Sequence, residues 1–148
     1  MSTIYTRAPT RISFAGGGTD IPEIAEKIGG CVTSVAISVY NYASLSPRKD
    51  GNICIASVAS DGSEEFQKFS AEKIIYDGQL DLVKSVIEEL NSDHLGFDIT
   101  MSTEAPRHSG LGSSSSAYAA LIAAFNQFYD LKMKRQDIAE MAFNLERT

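Results

Sequence analysis

A loop rich in glycine and serine, placed between a strand and an apolar helix, constrains this chain most. The loop is PRHSGLGSSSS, residues 106–116. Before it, Phe97, Ile99 and Met101 alternate with polar residues, which predicts a strand. After it, the apolar run 117–128 predicts a buried central helix. The first N–H groups of such a helix have no partner within the helix and lie at its positive end, so this junction favours a bound anion.

The small residues of the loop suit a phosphate group. Gly110 and Gly112 let the backbone turn with its amides facing outward, and the serines at 113–116 add hydroxyls that can donate to phosphate oxygens or bind Mg²⁺. A simpler interpretation is that Ser113 only caps the helix and the glycines only form a tight turn. Since a cap needs one serine and four stand in a row, we favour the phosphate site. The patterns G-x-x-x-x-G-K-[ST] and G-x-G-x-x-G do not fit this loop.

The remaining hydrophobic pattern alternates between strand-like and helix-like stretches. Period-two alternation predicts strands near 12–14, 35–45, 53–58 and 66–69, and helical spacing predicts helices near 21–28, 80–90 and 138–145. We expect Ile12 and Phe14 to be half-buried, and Asp50-Gly51 to close a hairpin between the second and third strands. This order predicts an α+β fold whose mainly antiparallel sheet is covered on one face by helices.

A second group of polar and small residues lies in APTRISFAGGGTD, residues 8–20. Arg11 lies on the strand face opposite Ile12 and Phe14, so it can project toward a cleft. The glycines at 16–18 allow a ligand to approach the backbone, and Asp20 stands at a helix start, where a carboxylate is also favoured for purely structural reasons. A sugar would use these same groups, because its hydroxyls can donate to a carboxylate and accept from N–H groups.

Charge and composition exclude several classes of protein. The net charge of −6 argues against nucleic acid as a partner, because phosphate backbones need clustered Lys and Arg. Neither a signal peptide nor an apolar run of membrane-spanning length is visible, so we expect a cytoplasmic protein without a membrane partner. Cys31 and Cys54 each fall in a strand-like run and are expected to be buried free thiols.

The two motifs together resemble the GHMP kinases, a family named for galactokinase, homoserine, mevalonate and phosphomevalonate kinases. APTRISFAGGGTD followed by P-x3-GLGSSSS has the order and spacing of that family, and ISFAGGGTD is most similar to its sugar-kinase branch, which includes heptose 7-phosphate kinases. The resemblance extends from about Arg7 to Arg147. It implies a fold like domain 2 of ribosomal protein S5, and phosphorylation of a sugar or sugar phosphate hydroxyl with ATP and Mg²⁺.

The resemblance also implies a role for individual residues. Arg11 matches a basic residue near the transferred phosphoryl group, and Ser114 and Glu146 match Mg²⁺ ligands. The sugar-contacting motif matches Gly17, Gly18, Thr19 and Asp20. The loop around the ATP phosphates matches Ser109, Gly110, Leu111, Gly112, Ser113, Ser114 and Ser115.

The chain departs from the family after Glu146. Many members have a catalytic aspartate shortly after this position and a third glycine-rich motif much later, whereas the sequence stops at Thr148. We therefore expect residues 1–148 to be the N-terminal, ATP-binding domain without the C-terminal domain, and to be nearly inactive alone. We also expect the helices around Leu121 and Met141 to expose an apolar patch and favour self-association.

Two other functions fit the same residues. A non-catalytic sensor of nucleotide or sugar on this scaffold would keep both motifs and lack the aspartate. A structural S5-like module that binds RNA or protein is disfavoured, for RNA, by the acidic charge balance.

Overall fold

The computed structural model describes residues 2–147 as one five-stranded sheet with four helices. The elements in chain order are β1 (Ile4–Ala15), α1 (Pro22–Ile28), β2 (Thr33–Arg48), β3 (Asn52–Val58), β4 (Glu64–Ser70), α2 (Asp81–Leu90), β5 (Gly96–Thr103), α3 (Ser113–Tyr129) and α4 (Arg135–Glu146). Among these residues no helix is long and apolar enough to cross a membrane.

The strands are arranged in the order β1-β2-β5-β3-β4. β1 with β2, β2 with β5 and β3 with β4 are antiparallel, whereas β3 and β5 are parallel. The sheet is thus mainly antiparallel, as expected. The expectation that Asp50-Gly51 closes a hairpin between β2 and β3 is wrong, because β5 lies between these two strands and pairs with both.

The physical reason for this insertion is the apolar character of β5. Phe97, Ile99 and Met101 are buried, and the Phe97 ring meets the edges of Phe125 and Phe128 with centroids 5.4 and 5.0 Å apart. A central position gives β5 a neighbouring strand on each edge and places its apolar face over the core, and this gain outweighs a local pairing of β2 with β3. A turn signal carries no information about such a distant partner.

The core lies between one face of the sheet and helices α2, α3 and α4. In α3, Leu121, Ile122 and Phe125 are fully buried together with small residues such as Ala120 and Ala124, so this helix packs closely on the sheet. Leu121, expected in an exposed patch, is therefore in the core, and Met141 is half-buried against it.

Exposed apolar residues are found instead where β1 ends and β2 begins. Phe14 is 68% exposed, Ile12 is 37% exposed, and α1 buries none of its residues. The expectation of a half-buried first strand is wrong here, because the β1–β2 pair continues past a register shift at Pro9/Arg11 without becoming part of the core. Both cysteines are free, but Cys31 is exposed and Cys54 half-buried, so neither is fully buried as expected.

Candidate functional site

The loop between β5 and α3 ends in a helix start that lacks a side-chain cap. Gly112 occupies the N-cap position with φ 71°, and Gly110 has φ 69°. Gly112 has no side chain to bond the helix, and the first helical hydrogen bond runs from Ser116 N to Gly112 O. The N–H groups of Ser113 to Ser115 therefore have no partner within the helix and lie at its positive end. Ser113 is the first helical residue and not the cap.

The four serines of the loop have different partners. Ser113 Oγ donates to Asn41 Oδ1 over 3.3 Å, and Ser116 Oγ donates to Ala8 O over 2.8 Å. Ser114 and Ser115 donate to the two carboxylate oxygens of Glu146 at the end of α4. The two middle serines thus face a charged group, while Ser113 and Ser116 fasten the helix start to β2 and β1.

Arg11 joins the two sequence motifs. Its backbone N–H donates to Leu111 O over 2.9 Å, and its side-chain Nη1 donates to Gly110 O over 2.8 Å. A Cβ at Gly112 would lie 3.1 Å from Arg11 Cζ, so the guanidinium packs directly on the loop backbone. The part of β1 before the glycine-rich turn and the serine loop therefore form one continuous surface.

Glu146 completes this surface. A cavity of about 300 Å³ is lined by Arg11, Gly112, Ser115 and Glu146, with apolar walls from α3 and α4. The next residue, Arg147, forms an ion pair with Glu23 of α1 at 3.1 Å, which ties the end of α4 to the first helix.

Within residues 2–147 no group of three His, Cys, Asp or Glu side chains is placed to hold a metal ion. A cation here would have one carboxylate, hydroxyls and ligand oxygens as partners.

The residues at 16–20 form a separate turn. Thr19 Oγ1 donates to Gly16 O over 2.7 Å and accepts from Cys31 N–H over 3.1 Å, and Asp20 Oδ1 accepts from Gly18 N–H over 3.0 Å. These hydrogen bonds hold the turn itself and do not reach the serine loop. The structure thus brings Arg11, the loop and Glu146 together, and leaves Gly17, Gly18, Thr19 and Asp20 as a neighbouring unit of their own.

The base of the loop is fixed by a glutamate that sequence reasoning missed. Glu104, directly after β5, accepts from Tyr40 N–H over 2.7 Å and from the Tyr42 hydroxyl over 2.8 Å. These two donors hold the pKa of Glu104 below its usual range, with the backbone N–H as the larger cause. An acidic residue between a strand and a loop gives no sequence signal of such partners.

A second cavity lies on the other side of the α3 start. It measures about 200 Å³ and is lined by the ends of β3 and β5, by Leu82 of α2, and by Asn41, Ser113, Ser114 and Ala117. None of its lining residues is charged. A larger cavity of about 650 Å³, between α2, α3 and α4, contains none of the predicted site residues.

Comparisons with known proteins find similar sequences and similar folds. The family model described as GHMP kinases N terminal domain matches residues 81–148. A D-glycero-alpha-D-manno-heptose 7-phosphate kinase of Campylobacter jejuni is 35% identical over 99% of this chain and 44% of its own length. The chain therefore spans less than half the length of this curated relative.

Solved structures of sugar kinases share the fold. A D-glycero-D-manno-heptose 1-phosphate kinase from Bacteroides thetaiotaomicron has a TM-score of 0.85 and 26% identity, covering 99% of this chain and 48% of that one. Lactococcus lactis galactokinase complexed with galactose has a TM-score of 0.76 and 22% identity, covering 98% of this chain and 37% of that one, and shows the fold alone. The α+β architecture is the S5 domain 2-like fold of these kinases. The chain is thus similar to part of several sugar kinases, and its residues 81–148 match the model of the GHMP kinases N terminal domain.

Proposed function

We propose that this chain is the ATP-binding part of a kinase that phosphorylates a hydroxyl of a sugar phosphate, of the heptose phosphate class. The observation that carries the proposal is the contact of Arg11 with the glycine loop, with the Ser114, Ser115 and Glu146 side chains beside it. Cationic, hydroxyl and carboxylate groups converge there on an uncapped helix start. The names of the most similar relatives supply the substrate class.

The loop would hold the phosphates through its backbone. The free N–H groups at Ser113 to Ser115 and the helix dipole favour negative charge, and the positive φ of Gly110 and Gly112 directs the preceding amides into the same turn. Ser109 and Leu111 complete the loop that we assign to ATP. Phosphoryl transfer depends mainly on such positioning and on charge stabilisation.

Ser114 and Glu146 fit a Mg²⁺ ion in their chemistry. Both offer the oxygen donors that this cation prefers, and Mg²⁺ commonly uses one or two carboxylates together with phosphate oxygens and waters. When bound, Mg²⁺ would neutralise charge on the β- and γ-phosphates. Ser115, which bonds the second carboxylate oxygen, would hold Glu146 in place.

We assign the sugar to the turn of residues 16–20, and the transferred phosphoryl group to the surroundings of the Arg11 guanidinium. A sugar hydroxyl oxygen bonds to the γ-phosphorus, the bond from phosphorus to ADP breaks, and the hydroxyl proton is released. The Arg11 guanidinium would stabilise the charge on the transferred group. Gly17, Gly18, Thr19 and Asp20 would contact the sugar, with the Asp20 carboxylate accepting from hydroxyls.

The test compares two arginines of the same strand. Arg11 touches the loop, whereas Arg7 stacks on the Tyr40 ring at 4.6 Å from its centroid. We expect Arg11→Met to weaken binding of ADP with Mg²⁺ by about tenfold, since a charged contact is lost, and Arg7→Met to leave it unchanged. Calorimetric titration measures both, and an ATP turnover assay of the longest natural form of the protein with heptose 1- and 7-phosphates identifies the substrate. Absence of ADP binding by the unaltered chain would refute the proposal.

A further inference from the structure

Helix α1 is not attached to the hydrophobic core. It follows the turn of residues 16–20, and in the part of the chain that the structure describes none of its seven residues is buried or packs against the core. Its isoleucines, Ile24 and Ile28, are 38% and 78% exposed. Most helices of proteins are held by burial of an apolar face, and a helix this short is not stable by itself. The position of α1, and of the turn joined to it, therefore depends on a few polar contacts.

One such contact joins α1 to the end of α4. Arg147 Nη2 donates to the two carboxylate oxygens of Glu23 over 3.1 and 3.4 Å. Within residues 2–147, these are the side-chain hydrogen bonds that α1 makes with another helix or strand. The Arg147 guanidinium also lies over the Phe143 ring, 5.1 Å from its centroid, so α4 restrains the direction of this long side chain.

The residue before Arg147 is bound to the serine loop. The Glu146 carboxylate accepts from the hydroxyls of Ser114 and Ser115. The backbone of Arg147 is held in the last turn of α4, because its N–H donates to Asn144 O over 3.2 Å. Two consecutive side chains at one helix end therefore contact two different parts of the protein, the serine loop and α1.

We infer that Arg147 is a positioning residue, which through Glu23 fixes the turn of residues 16–20 relative to the serine loop. This inference rests on the proposed function, which assigns the turn to the sugar and the loop to the phosphates of ATP. Phosphoryl transfer requires the attacking hydroxyl and the γ-phosphorus to lie close together and in line, so a displaced turn lowers the rate. Arg147 acts through the ion pair and not by contact with the reacting atoms.

The first experiment measures the attachment of α1 by hydrogen exchange of the backbone amides of residues 16–28. The side chains of the pair are 40% and 65% exposed, so its contribution to an equilibrium is only a few-fold. We expect Arg147→Met and Glu23→Gln each to accelerate this exchange by about 2- to 5-fold and to leave the unfolding temperature unchanged. The double variant should behave like either single variant, because both changes remove the same ion pair.

Two further variants serve as controls. Arg147→Lys keeps the positive charge and should restore most of the slow exchange. Glu26→Gln removes the same charge from the same helix, but Glu26 is exposed and does not bond Arg147, so exchange should stay as in the unaltered chain. Glu23→Gln also tests the pair without a change in the residue next to Glu146.

The second experiment measures ATP-dependent phosphorylation of heptose 1- and 7-phosphates by the longest natural form of the protein. We expect Glu23→Gln and Arg147→Met to lower kcat/KM for the sugar phosphate by about 2- to 5-fold, with the affinity for ADP and Mg²⁺ unchanged in Glu23→Gln and activity restored in Arg147→Lys.

Three results would overturn the inference: unchanged exchange in Arg147→Met, unchanged kcat/KM in both variants, or an equal effect of Glu26→Gln. If exchange accelerates as expected but the unaltered protein transfers no phosphoryl group to a sugar phosphate, the proposed function fails, whereas the attachment of α1 by Arg147 stands.

Discussion

At the scale of single residues, the serine run shows how neighbouring side chains of one type divide their tasks. In the first turn of α3, successive residues point in directions about 100° apart, so four serines reach four surroundings. Ser113 and Ser116 meet β2 and β1, whereas Ser114 and Ser115 meet the Glu146 carboxylate. A serine that fastens the helix is as necessary for the site as one that contacts a ligand.

Replacing Ser116 tests its fastening role. Its hydroxyl is buried and donates to Ala8 O across 108 positions of sequence. We expect Ser116→Ala to cost roughly 1 kcal/mol of unfolding free energy, since the half-buried Ala8 carbonyl loses this donor. Denaturant titration measures this, and Ser114→Ala, an exposed position, serves as the control with little change in stability. Equal effects of the two changes would contradict the division of tasks.

Gly112 and Gly110 allow a second test at this scale. Both have φ near 70°, so alanine at either position costs roughly 1–2 kcal/mol of backbone strain. Only at Gly112 would the new Cβ meet Arg11, whose guanidinium atoms lie 3.1 to 3.4 Å away, whereas at Gly110 no atom lies within 4 Å. We therefore expect similar losses of stability, but a further loss of ADP affinity in Gly112→Ala. Equal ADP affinities in the two variants would show that Arg11 does not matter to the loop.

Asp20 is suited to an isosteric change. Its Oδ1 accepts from Gly18 N–H, and asparagine can keep that bond while losing the charge. Under the proposed function we expect Asp20→Asn to lower kcat/KM for the sugar phosphate by about 10- to 100-fold and to leave ADP affinity nearly intact. The assay uses the longest natural form of the protein, with the exposed Asp130→Asn as the control. A comparable loss of ADP affinity would contradict the assignment of Asp20 to the sugar.

At the scale of elements, a buried lysine fixes the segment before α2. Lys84 is 1% exposed, and its Nζ donates to Asp77 at 2.5 Å and to Asp81 at 3.2 Å. Donation from Lys84, and next from Gln79 N–H, holds the pKa of Asp77 below its usual value. A carboxylate with a lowered pKa stabilises the fold at pH above its unfolded value, about 3.9, and this contribution is lost as the pH falls through the folded value.

Asp77→Asn should therefore destabilise the protein in a pH-dependent manner. We expect a lower denaturation midpoint at pH 7, and a difference from the unaltered chain that shrinks below about pH 4, because the unfolded chain takes up a proton at Asp77 there before the folded protein does. Denaturant titrations at pH 7 and pH 3 measure it, with the exposed Asp93→Asn as the control. A difference that stays constant between these two values would refute the role of the ionised carboxylate.

Elements with a local signal could be predicted, whereas their partners could not. The periods of α2 and α4 and the strand ending at Thr103 are visible because each element buries one face. The place of β5 between β2 and β3 depends on contacts far apart in sequence, and Asn41 looks like any polar residue within a strand. Only the family resemblance groups Arg11, the serine loop and Glu146. Arg11 is 99 positions from Gly110, and Ser114 is 32 positions from Glu146, so neither spacing carries a local signal.

At the scale of the whole molecule, exposed apolar residues concentrate at one end of the sheet. We call these residues of β1, α1 and the start of β2 the hairpin surface: Ile12, Phe14, Ile24, Ile28 and Val35. Phe14 is 68% exposed and Ile28 is 78% exposed. Burial of large apolar side chains between molecules is favourable, and contiguous exposed groups of this kind promote association. The apolar residues of α3 and α4, in contrast, mostly face the core.

We predict that residues 1–148 on their own self-associate with a second copy through the hairpin surface. Light scattering over a range of concentrations should give a mass above that of the monomer, and Phe14→Ser combined with Ile28→Ser should return it toward the monomer. The matched control is Phe66→Ser with Ile75→Ser, because these residues are 67% and 59% exposed but lie outside the hairpin surface. The control variant should associate like the unaltered chain, since general surface hydrophobicity is lowered equally in both. A monomeric unaltered chain, or the same decrease in mass for both variants, would contradict this prediction.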